Sequence, residues 1–369
     1  MTMPLLTQGT FFFPGPTEVR QVVLDAMTQP MIAHRGPAFE SMYARIQTSL
    51  QHIFGTARPV YVSSSSATGL MESAIRCAPA GRVLSIVNGA FSARFAAIAT
   101  ACGRETVVID IPWGSTVDLD ELTIRLSARE YAAVTVAHSE TSTGALTDVR
   151  AVTRLAHEHG AVCLVDSVTG IGAAELRFDD WQLDFALTGS QKALALPPGL
   201  AFAAATPAFI DSARSQDRRG LYFDVVEFDA YAVKHQTPNT PALPLFYAAD
   251  VQLAAIAEET MPVRWARHKA MAERTYAWVD ASSARHEGAL SIAAGPGHRS
   301  PSVTSIVLPP SLTSSTVLRA VAERGFTIGS GYGKNKETSV RIGHMGDHTL
   351  EGLERCLGAC DAVFDALLD

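Results

Sequence analysis

The sequence predicts an α/β fold with a mostly parallel, seven-stranded sheet flanked by helices, and a smaller C-terminal α+β domain. Two observations support this prediction. Short apolar, β-branched runs alternate with helix-like stretches over most of the 369 residues, and this alternation is typical of a parallel sheet that is buried on both faces. After about Met261 the alternation stops and a long helix-like stretch follows. We therefore expect a second, smaller unit after that point.

The seven predicted strands are short, apolar and rich in β-branched residues, as buried strands are. They cover residues 59–62, 82–87, 106–111, 133–137, 161–165, 185–188 and 200–204. Helical stretches lie between most of them, for example at 68–77, 93–102 and 149–159. In such sheets ligands bind beyond the carboxyl ends of the strands. Polar residues that directly follow these strands are therefore candidates for a binding site.

The C-terminal part has a different order of elements. A long helix is predicted at 264–278, followed by a strand at 303–308, a helix at 314–324, a strand at 339–342 and a final helix at 348–368. This order is typical of an α+β unit. The predicted organisation is an N-terminal arm at 1–16, a large domain at 17–260 and a small domain at 261–369.

Composition excludes several classes of protein. The net charge of −7 and the lack of a basic run argue against a nucleic-acid partner. No apolar run is long enough to span a membrane, and the first six residues, MTMPLL, lack the features of a signal peptide. Five cysteines are too few for a disulfide framework in a chain of this length. We expect a cytoplasmic protein.

Lys192 and Asp166 form the most informative pair in the sequence. Each comes at the end of a strand-like segment, and 26 positions separate them. Pyridoxal phosphate chemistry requires such a pair, because a lysine amine forms a Schiff base with the aldehyde and a carboxylate keeps the pyridine nitrogen protonated. The alternatives are a surface lysine in a loop and an aspartate that caps the next helix.

Three further segments fit the same chemistry, each with a structural alternative. Residues 64–68 (SSSAT) lie between a strand and a helix, where phosphate binds readily, although ordinary helix capping also explains them. Phe91 follows a strand and its ring could stack on a pyridine face, or simply pack in the core. Arg341 is the one arginine inside an apolar strand. Its guanidinium matches a substrate carboxylate, and a structural salt bridge is the alternative.

The segment His157-Glu158-His159 lacks the helical i, i+4 spacing of a zinc motif. We predict no metal site there, and interpret it as a polar helix end.

Taken together, these residues resemble the class V aminotransferases of fold type I, and within them the alanine–glyoxylate and serine–glyoxylate group. The resemblance covers essentially the whole chain, and the order and spacing of its short motifs make it specific. The motifs are FPGPT at 13–17, HR at 34–35, ETSTG at 140–144, VDSV at 165–168, GSQKAL at 189–194 and RIGHMG at 341–346.

The resemblance implies a role for each candidate residue around pyridoxal 5'-phosphate. Lys192 would bind the cofactor covalently and move the proton between the substrate Cα and the cofactor C4′, and Asp166 would pair with the pyridinium nitrogen. The other cofactor contacts implied are Phe91 stacked on the ring, Thr141 near the phenolic oxygen, and Ser66, Ala67, Thr68 and Gln191 at the phosphate. Arg341 would bind the substrate carboxylate, helped by the backbone at Gly15.

The resemblance also implies a homodimer with shared active sites. The segment 236–241 (QTPNTP) is similar to one that reaches the neighbouring subunit's phosphate site, through Thr237 and Thr240. The sequence departs from the family at Phe91, where Trp is frequent, and at Ala67, where Gly is frequent. These departures remove no chemistry and leave the substrate open.

The predicted function is transfer of an amino group from a small amino acid, of the alanine or serine type, to a 2-oxo acid such as glyoxylate or pyruvate. An aminoethylphosphonate or phosphoserine aminotransferase is an alternative. It would need extra cations near the distal group of the substrate, for which Arg20, His34 and Arg35 are candidates. A lyase or cysteine desulfurase would need a mobile, exposed thiolate, and no cysteine lies in a Gly/Ser-rich loop. A catalytically inactive binding protein is disfavoured by the intact Lys192, Asp166 and Arg341.

Overall fold

The structure, a computed structural model, describes residues 4–368. The strands are β1 (Phe11–Phe12), β2 (Tyr61–Ser63), β3 (Val83–Val87), β4 (Thr106–Asp110), β5 (Ala133–Ala137), β6 (Ser139–Glu140), β7 (Ala145–Leu146), β8 (Val162–Asp166), β9 (Phe185–Gly189), β10 (Ala201–Ala205), β11 (Ser291–Ile292), β12 (Val303–Val307), β13 (Thr327–Ser330) and β14 (Ser339–Gly343). The helices are α1 (Gln21–Ala26), α2 (Pro37–Phe54), α3 (Ala67–Cys77), α4 (Ala90–Ala101), α5 (Leu119–Ala128), α6 (Val149–Glu158), α7 (Pro207–Arg214), α8 (Val225–Ala232), α9 (Leu243–Glu259), α10 (Met261–Arg285), α11 (Ser314–Ala322) and α12 (Leu350–Leu368).

A seven-stranded sheet forms the larger part of the fold, in the order β2-β10-β9-β8-β5-β3-β4. The pairs β9–β8, β8–β5, β5–β3 and β3–β4 are parallel, and β10 runs antiparallel to both of its neighbours. The seven strands predicted from the sequence are therefore confirmed, each with bounds within two residues, and so is the mostly parallel α/β fold. The carboxyl ends of β2, β3, β5, β8 and β9 meet at one edge, where ligands bind in such sheets.

The sheet is buried on both faces. Successive side chains of a strand point to opposite faces, and β5 illustrates the result: Val134 and Val136 join an apolar cluster with residues of α2, α5, α6 and α9, whereas Ala133 joins a second cluster with residues of α3, α4, α7 and α8. Strands between two helical layers are therefore apolar almost throughout, which is the pattern that the sequence displays.

A second, five-stranded sheet has the order β1-β13-β14-β12-β11 and packs against α10, α11 and α12. The strands β12 and β14 and all three helices were predicted, although α10 is longer than the predicted 264–278. The strands β1 and β13 were not predicted. Phe11 and Phe12 pair in parallel with Thr327 and Ile328, so the chain segment before Pro14 contributes an edge strand to the C-terminal sheet.

The predicted division of the chain at 16/17 and 260/261 stays a prediction, as does a cytoplasmic location. The second boundary coincides with the junction of α9 and α10. In the described range, 4–368, no helix is long and apolar enough to cross a membrane. The prediction about a signal peptide depends partly on residues 1–3, which lie outside that range.

Candidate active site

A cavity of about 410 Å³ lies at the carboxyl edge of the large sheet. Nine of the residues predicted from the sequence line it, and they are Gly15, Ser66, Ala67, Thr68, Phe91, Thr141, Asp166, Gln191 and Lys192. They come from segments that follow different strands, and from the N-terminal arm. The fold therefore brings together side chains that are far apart in sequence, as the carboxyl-end argument requires.

Lys192 lies in the turn after β9, with its side chain only 7% exposed. Its backbone is fixed by Thr17, whose N–H donates to the Gln191 carbonyl at 2.9 Å and whose hydroxyl donates to the Lys192 carbonyl at 3.0 Å. The amine donates to the Pro14 carbonyl. Burial, with a smaller contribution from Arg341, lowers the pKa of Lys192 to about 7. Much of this amine is therefore unprotonated, and so nucleophilic, near neutral pH.

Gly15 explains how the N-terminal arm approaches Lys192 so closely. Its φ is +91°, a conformation that favours glycine. A Cβ at this position would also overlap the end of the Lys192 side chain. The backbone conformation favours glycine here, a side chain would displace the Lys192 amine, and the FPGPT motif is accounted for by contact with the lysine.

Asp166 is the last residue of β8 and is 4% exposed. Its carboxylate accepts a hydrogen bond from the Val168 N–H at 2.9 Å. Burial raises the pKa of Asp166 to about 7, and Glu140 adds to this rise, whereas Val168, Lys192 and Arg94 oppose it. A buried acid of this kind is stabilised in its charged form by a cationic partner. Its position suits a protonated ring nitrogen.

The end of the cavity at 66–68 is the first turn of α3. Ser66 is the N-cap residue of that helix, but its side chain makes no capping hydrogen bond. The simple capping interpretation of this serine is therefore wrong. Ser66, Ala67 and Thr68 line the cavity at the start of α3, where a helix N-terminus favours an anion such as a phosphate.

Glu140 is a functional candidate that the sequence analysis did not identify as one. It is fully buried, and its carboxylate accepts hydrogen bonds from the Phe91 and Ser92 N–H groups at 3.1 and 2.9 Å. It also accepts from the hydroxyl groups of Ser92 and Ser142. A carboxylate thus caps α4 from outside the helix, which explains why α4 begins at Ala90, three residues before the prediction, and fixes the position of Phe91.

Thr141 is buried, and its hydroxyl shares a hydrogen bond with the hydroxyl of Thr169. Its backbone carbonyl accepts a hydrogen bond from Arg341 at 3.1 Å. This contact joins the cofactor side of the cavity to the strand that carries the predicted substrate-binding arginine.

Arg341 lies on β14 beside a second cavity of about 520 Å³, which shares Gly15, Phe91 and Lys192 with the first. Its Nε donates to the Ser330 carbonyl at 2.7 Å. Among residues 4–368 no carboxylate lies within salt-bridge distance of Arg341. The salt-bridge interpretation is therefore wrong within this range. Burial lowers its pKa to about 10, so the guanidinium stays charged at neutral pH and suits a substrate carboxylate.

Thr237 and Thr240, the two remaining predicted cofactor contacts, do not line either of these cavities. Thr237 and Thr240 line a small separate cavity with Ser63 and Ser64. The Thr237 hydroxyl donates to the Asn239 carbonyl at 2.7 Å, and Thr240 is exposed. Their predicted role concerns a neighbouring subunit and stays a prediction.

Arg20, His34 and Arg35, which the sequence suggested for the distal group of a substrate, do not line either cavity. Arg20 is buried and paired with Asp347 at 2.6 Å, in a cluster with Arg264 outside both cavities, so that suggestion is wrong. Arg35 donates to Gln236 at 2.9 Å, and neither it nor His34 is among the lining residues of either cavity. The cations that line the cavities besides Lys192 and Arg341 are Arg94 and Lys336.

The cysteines do not offer a thiolate to the site. Cys77, Cys163, Cys356 and Cys360 are buried, and none of the five cysteines lines either cavity. Burial raises the pKa of Cys77 to about 11, and it also raises the pKa of Cys102, the least buried of the five. In the described part of the chain, no group of three or more His, Cys, Asp or Glu residues is arranged to hold a metal ion.

The fold and the site define a pyridoxal-phosphate-dependent transferase, and the comparisons identify its family. Residues 11–344 match the family described as aminotransferase class V, and the chain belongs to that family. It is 30% identical to an L-aspartate–glyoxylate aminotransferase of Paracoccus denitrificans, over 94% of this chain and 88% of the relative. It is also 30% identical to a serine–glyoxylate aminotransferase of Arabidopsis thaliana, over 95% of this chain and 89% of the relative.

The structure agrees with these relatives. It resembles the crystal structure of an alanine–glyoxylate aminotransferase from Nostoc sp. with a TM-score of 0.90 and 28% identity, covering 98% of this chain and 96% of that chain. The protein is thus a pyridoxal-phosphate-dependent transaminase with the fold of that group. The buried Asp166, the pKa of Lys192 near 7 and the uncapped first turn of α3 fit the ring nitrogen, the aldehyde and the phosphate of the cofactor.

Proposed function

We propose that the protein transfers the amino group of a small 2-amino acid, of the alanine or serine type, to a 2-oxo acid such as glyoxylate or pyruvate. The observation that carries the proposal is Arg341, a buried and charged guanidinium that shares a cavity with the Lys192 amine and is paired only with carbonyl groups and the Tyr332 ring in the described chain. The reaction is balanced, because the donor becomes a 2-oxo acid and the acceptor becomes an amino acid.

Lys192, Asp166 and Arg341 have different roles in this reaction, and each role follows from where the residue lies in the site. Pyridoxal phosphate, when bound, supplies an electron-withdrawing ring that stabilises negative charge at the substrate Cα. Lys192 removes the proton from that Cα, for which an amine with a pKa near 7 is well matched at neutral pH. Asp166 would hold a proton on the ring nitrogen of the bound cofactor. Arg341 binds the substrate carboxylate and so orients the Cα towards the lysine.

The remaining predicted contacts would hold the cofactor. Phe91, fixed by Glu140, would stack on the ring, and Thr141 would face the phenolic oxygen. The residues proposed for the phosphate are Ser66, Ala67, Thr68 and Gln191. The backbone at Gly15 would help Arg341 with the substrate carboxylate.

A donor panel tests the function. Purified, cofactor-loaded protein is mixed with glyoxylate and one amino donor at a time, and glycine is measured. We expect glycine from alanine or serine. The panel includes phosphoserine and aminoethylphosphonate, because the cations Arg94 and Lys336 line the cavities. Absence of glycine with every donor would contradict the proposal. Release of sulfide from cysteine would favour a desulfurase, which the buried thiols do not support.

Substitution of Arg341 tests its role in the same assay. In Arg341→Gln we expect kcat/KM for the best donor to fall about 100-fold, because a charge-assisted bidentate pair with the carboxylate is lost. The matched control is Arg274→Gln, which removes an exposed arginine paired with Glu354 on the surface. A decrease of less than about threefold in Arg341→Gln would contradict the assignment.

We also propose that the protein works as a homodimer, in which Thr237 and Thr240 of one copy reach the phosphate site of the other. The exposure of Thr240 and the resemblance of the segment 236–241 to one that reaches a neighbouring subunit support this arrangement. Sedimentation should therefore give twice the 39.3 kDa chain mass at micromolar concentration. A monomer with full activity at that concentration would contradict the shared site.

A further inference from the structure

Cations surround the two joined cavities in excess. Arg94 lines the first cavity, Lys336 and Arg341 line the second, and Lys192 lies where the two meet. Asp166 is the one carboxylate among the residues that line either cavity. This local excess contrasts with the net charge of −7 of the whole chain. The field inside the cavities therefore favours anionic groups, the cofactor phosphate among them.

Arg94 and Lys336 have no carboxylate partner in the chain. Within residues 4–368, neither forms an ion pair with an acidic side chain. Arg94 is instead held by aromatic residues: its Nη2 donates to the Tyr332 hydroxyl at 3.1 Å, and its Cζ lies 5.1 Å from the centre of the Phe91 ring. Its position is thus fixed while its charge is not neutralised.

Tyr332 contacts both Arg94 and Arg341. The hydroxyl end of Tyr332 contacts Arg94, and the Cζ of Arg341 lies 5.6 Å from the centre of its ring. Tyr332 also stacks on Phe91, with ring centres 5.0 Å apart. Two guanidinium groups therefore contact one tyrosine side chain, Arg94 at its hydroxyl and Arg341 over its ring.

We infer that Arg94, with Lys336, binds a second carboxylate at the side-chain end of the donor, while Arg341 binds the carboxylate next to the Cα. The site would then accept four- or five-carbon dicarboxylic amino acids in addition to the alanine-type donors of the proposed function, and with a higher kcat/KM. The inference depends on the proposed function for the role of Arg341, and it adds the class of side chain. A neutral side chain would leave Arg94 without a carboxylate partner within residues 4–368.

The direct test uses ligands that cannot react. Succinate and butyrate have the same carbon chain and differ by one carboxylate, and neither carries an amino group. We expect calorimetry on the cofactor-loaded protein to give at least about tenfold tighter binding of succinate, since a hydrogen-bonded charge pair contributes that much. In Arg94→Gln the two ligands should bind about equally. Arg94→Lys should keep part of the preference, because it keeps the charge.

The control variant is Arg125→Gln, which removes an exposed arginine that pairs with Glu121 on α5 and lines neither cavity. It should keep the succinate preference of the wild type. In turnover, Arg94→Gln should lower the ratio of kcat/KM for aspartate to that for alanine by about tenfold. Raising the salt concentration should also reduce the succinate preference, because the Arg94 side chain is exposed.

Three results would overturn the inference. They are equal binding of succinate and butyrate by the wild type, an unchanged preference in Arg94→Gln, and much tighter binding of 3-phosphonopropionate than of succinate, which would favour a phosphonate instead. Failure of the proposed function is distinguishable, because it appears as no glycine from any donor. The succinate preference is measured without turnover and does not depend on that result.

Discussion

Lys192→Ala should abolish both the covalent attachment of the cofactor and the turnover. After incubation with pyridoxal phosphate and desalting, the wild type should retain the absorbance of the lysine-bound cofactor and the variant should not. The activity with alanine or another productive donor should fall at least about 1,000-fold, because the nucleophile and the general base are the same amine. Lys192 lies in a buried turn, and its pKa is near 7. The one other lysine that lines either cavity is Lys336.

The matched control is Lys269→Ala. Lys269 is 72% exposed and makes only a 3.7 Å pair with Glu273 on the same helix, so its loss should change neither absorbance nor rate. Lys336→Ala tests the remaining lysine and should keep the absorbance. Retention of more than about one hundredth of the wild-type rate in Lys192→Ala would contradict the role of Lys192, given the usual contribution of a general base.

Asp166→Asn should lower kcat at least about 100-fold without unfolding the protein. The amide keeps the shape of the side chain and an oxygen that can accept from the Val168 N–H, but it cannot stabilise a proton on the ring nitrogen. A neutral ring withdraws fewer electrons, so the carbanion at the substrate Cα is less stable. Steady-state rates with the best donor, and a denaturation midpoint, measure the two parts of this prediction.

Asp118→Asn provides the control for this substitution. Asp118 is the exposed N-cap of α5, and asparagine caps helices about as well as aspartate, so that variant should behave like the wild type. If Asp166→Asn keeps more than about a tenth of the wild-type kcat, the carboxylate does not carry the role given to it.

Much of the site could be predicted because strand ends determine its geometry. A chain that alternates buried strands with helices has only one edge at which the ends of β2, β3, β5, β8 and β9 come together. Ser66, Phe91, Thr141 and Lys192 each follow one of these strands, and Asp166 is the last residue of one. Their meeting in one cavity follows from the periodicity of the sequence, and the resemblance to the class V aminotransferases supplied the roles.

The parts that the sequence analysis missed depend on contacts between distant segments. The pairing of β1 with β13 involves residues more than 300 positions apart, and neither strand is long enough to be distinctive alone. The sequence places Glu140 in the ETSTG motif but does not indicate its partners. Its contacts with Phe91 and Ser92 form only because the fold places β6 beside α4. Arg94 is an exposed arginine on a helix, and the sequence around it does not indicate a functional role. Its contact with Tyr332 is visible only in the structure.

The capping interpretation of Ser66 and the salt-bridge interpretation of Arg341 could not be rejected from the sequence. Both depend on where a single side chain points, and on which acids lie nearby in space. The structure excludes both interpretations, because Ser66 makes no side-chain capping bond and the hydrogen-bond partners of Arg341 are backbone carbonyls. Arg20 differs from Arg341, because it was suggested for a substrate group and instead forms a structural salt bridge with Asp347 at 2.6 Å.

The most direct test of the account maps the covalent link itself. The cofactor-loaded protein is reduced with borohydride, which makes the link to lysine permanent, then digested and examined by mass spectrometry. The account predicts the added cofactor mass on the peptide that contains Lys192, and on no other. The mass on a different lysine, or no modified peptide at all, would contradict it.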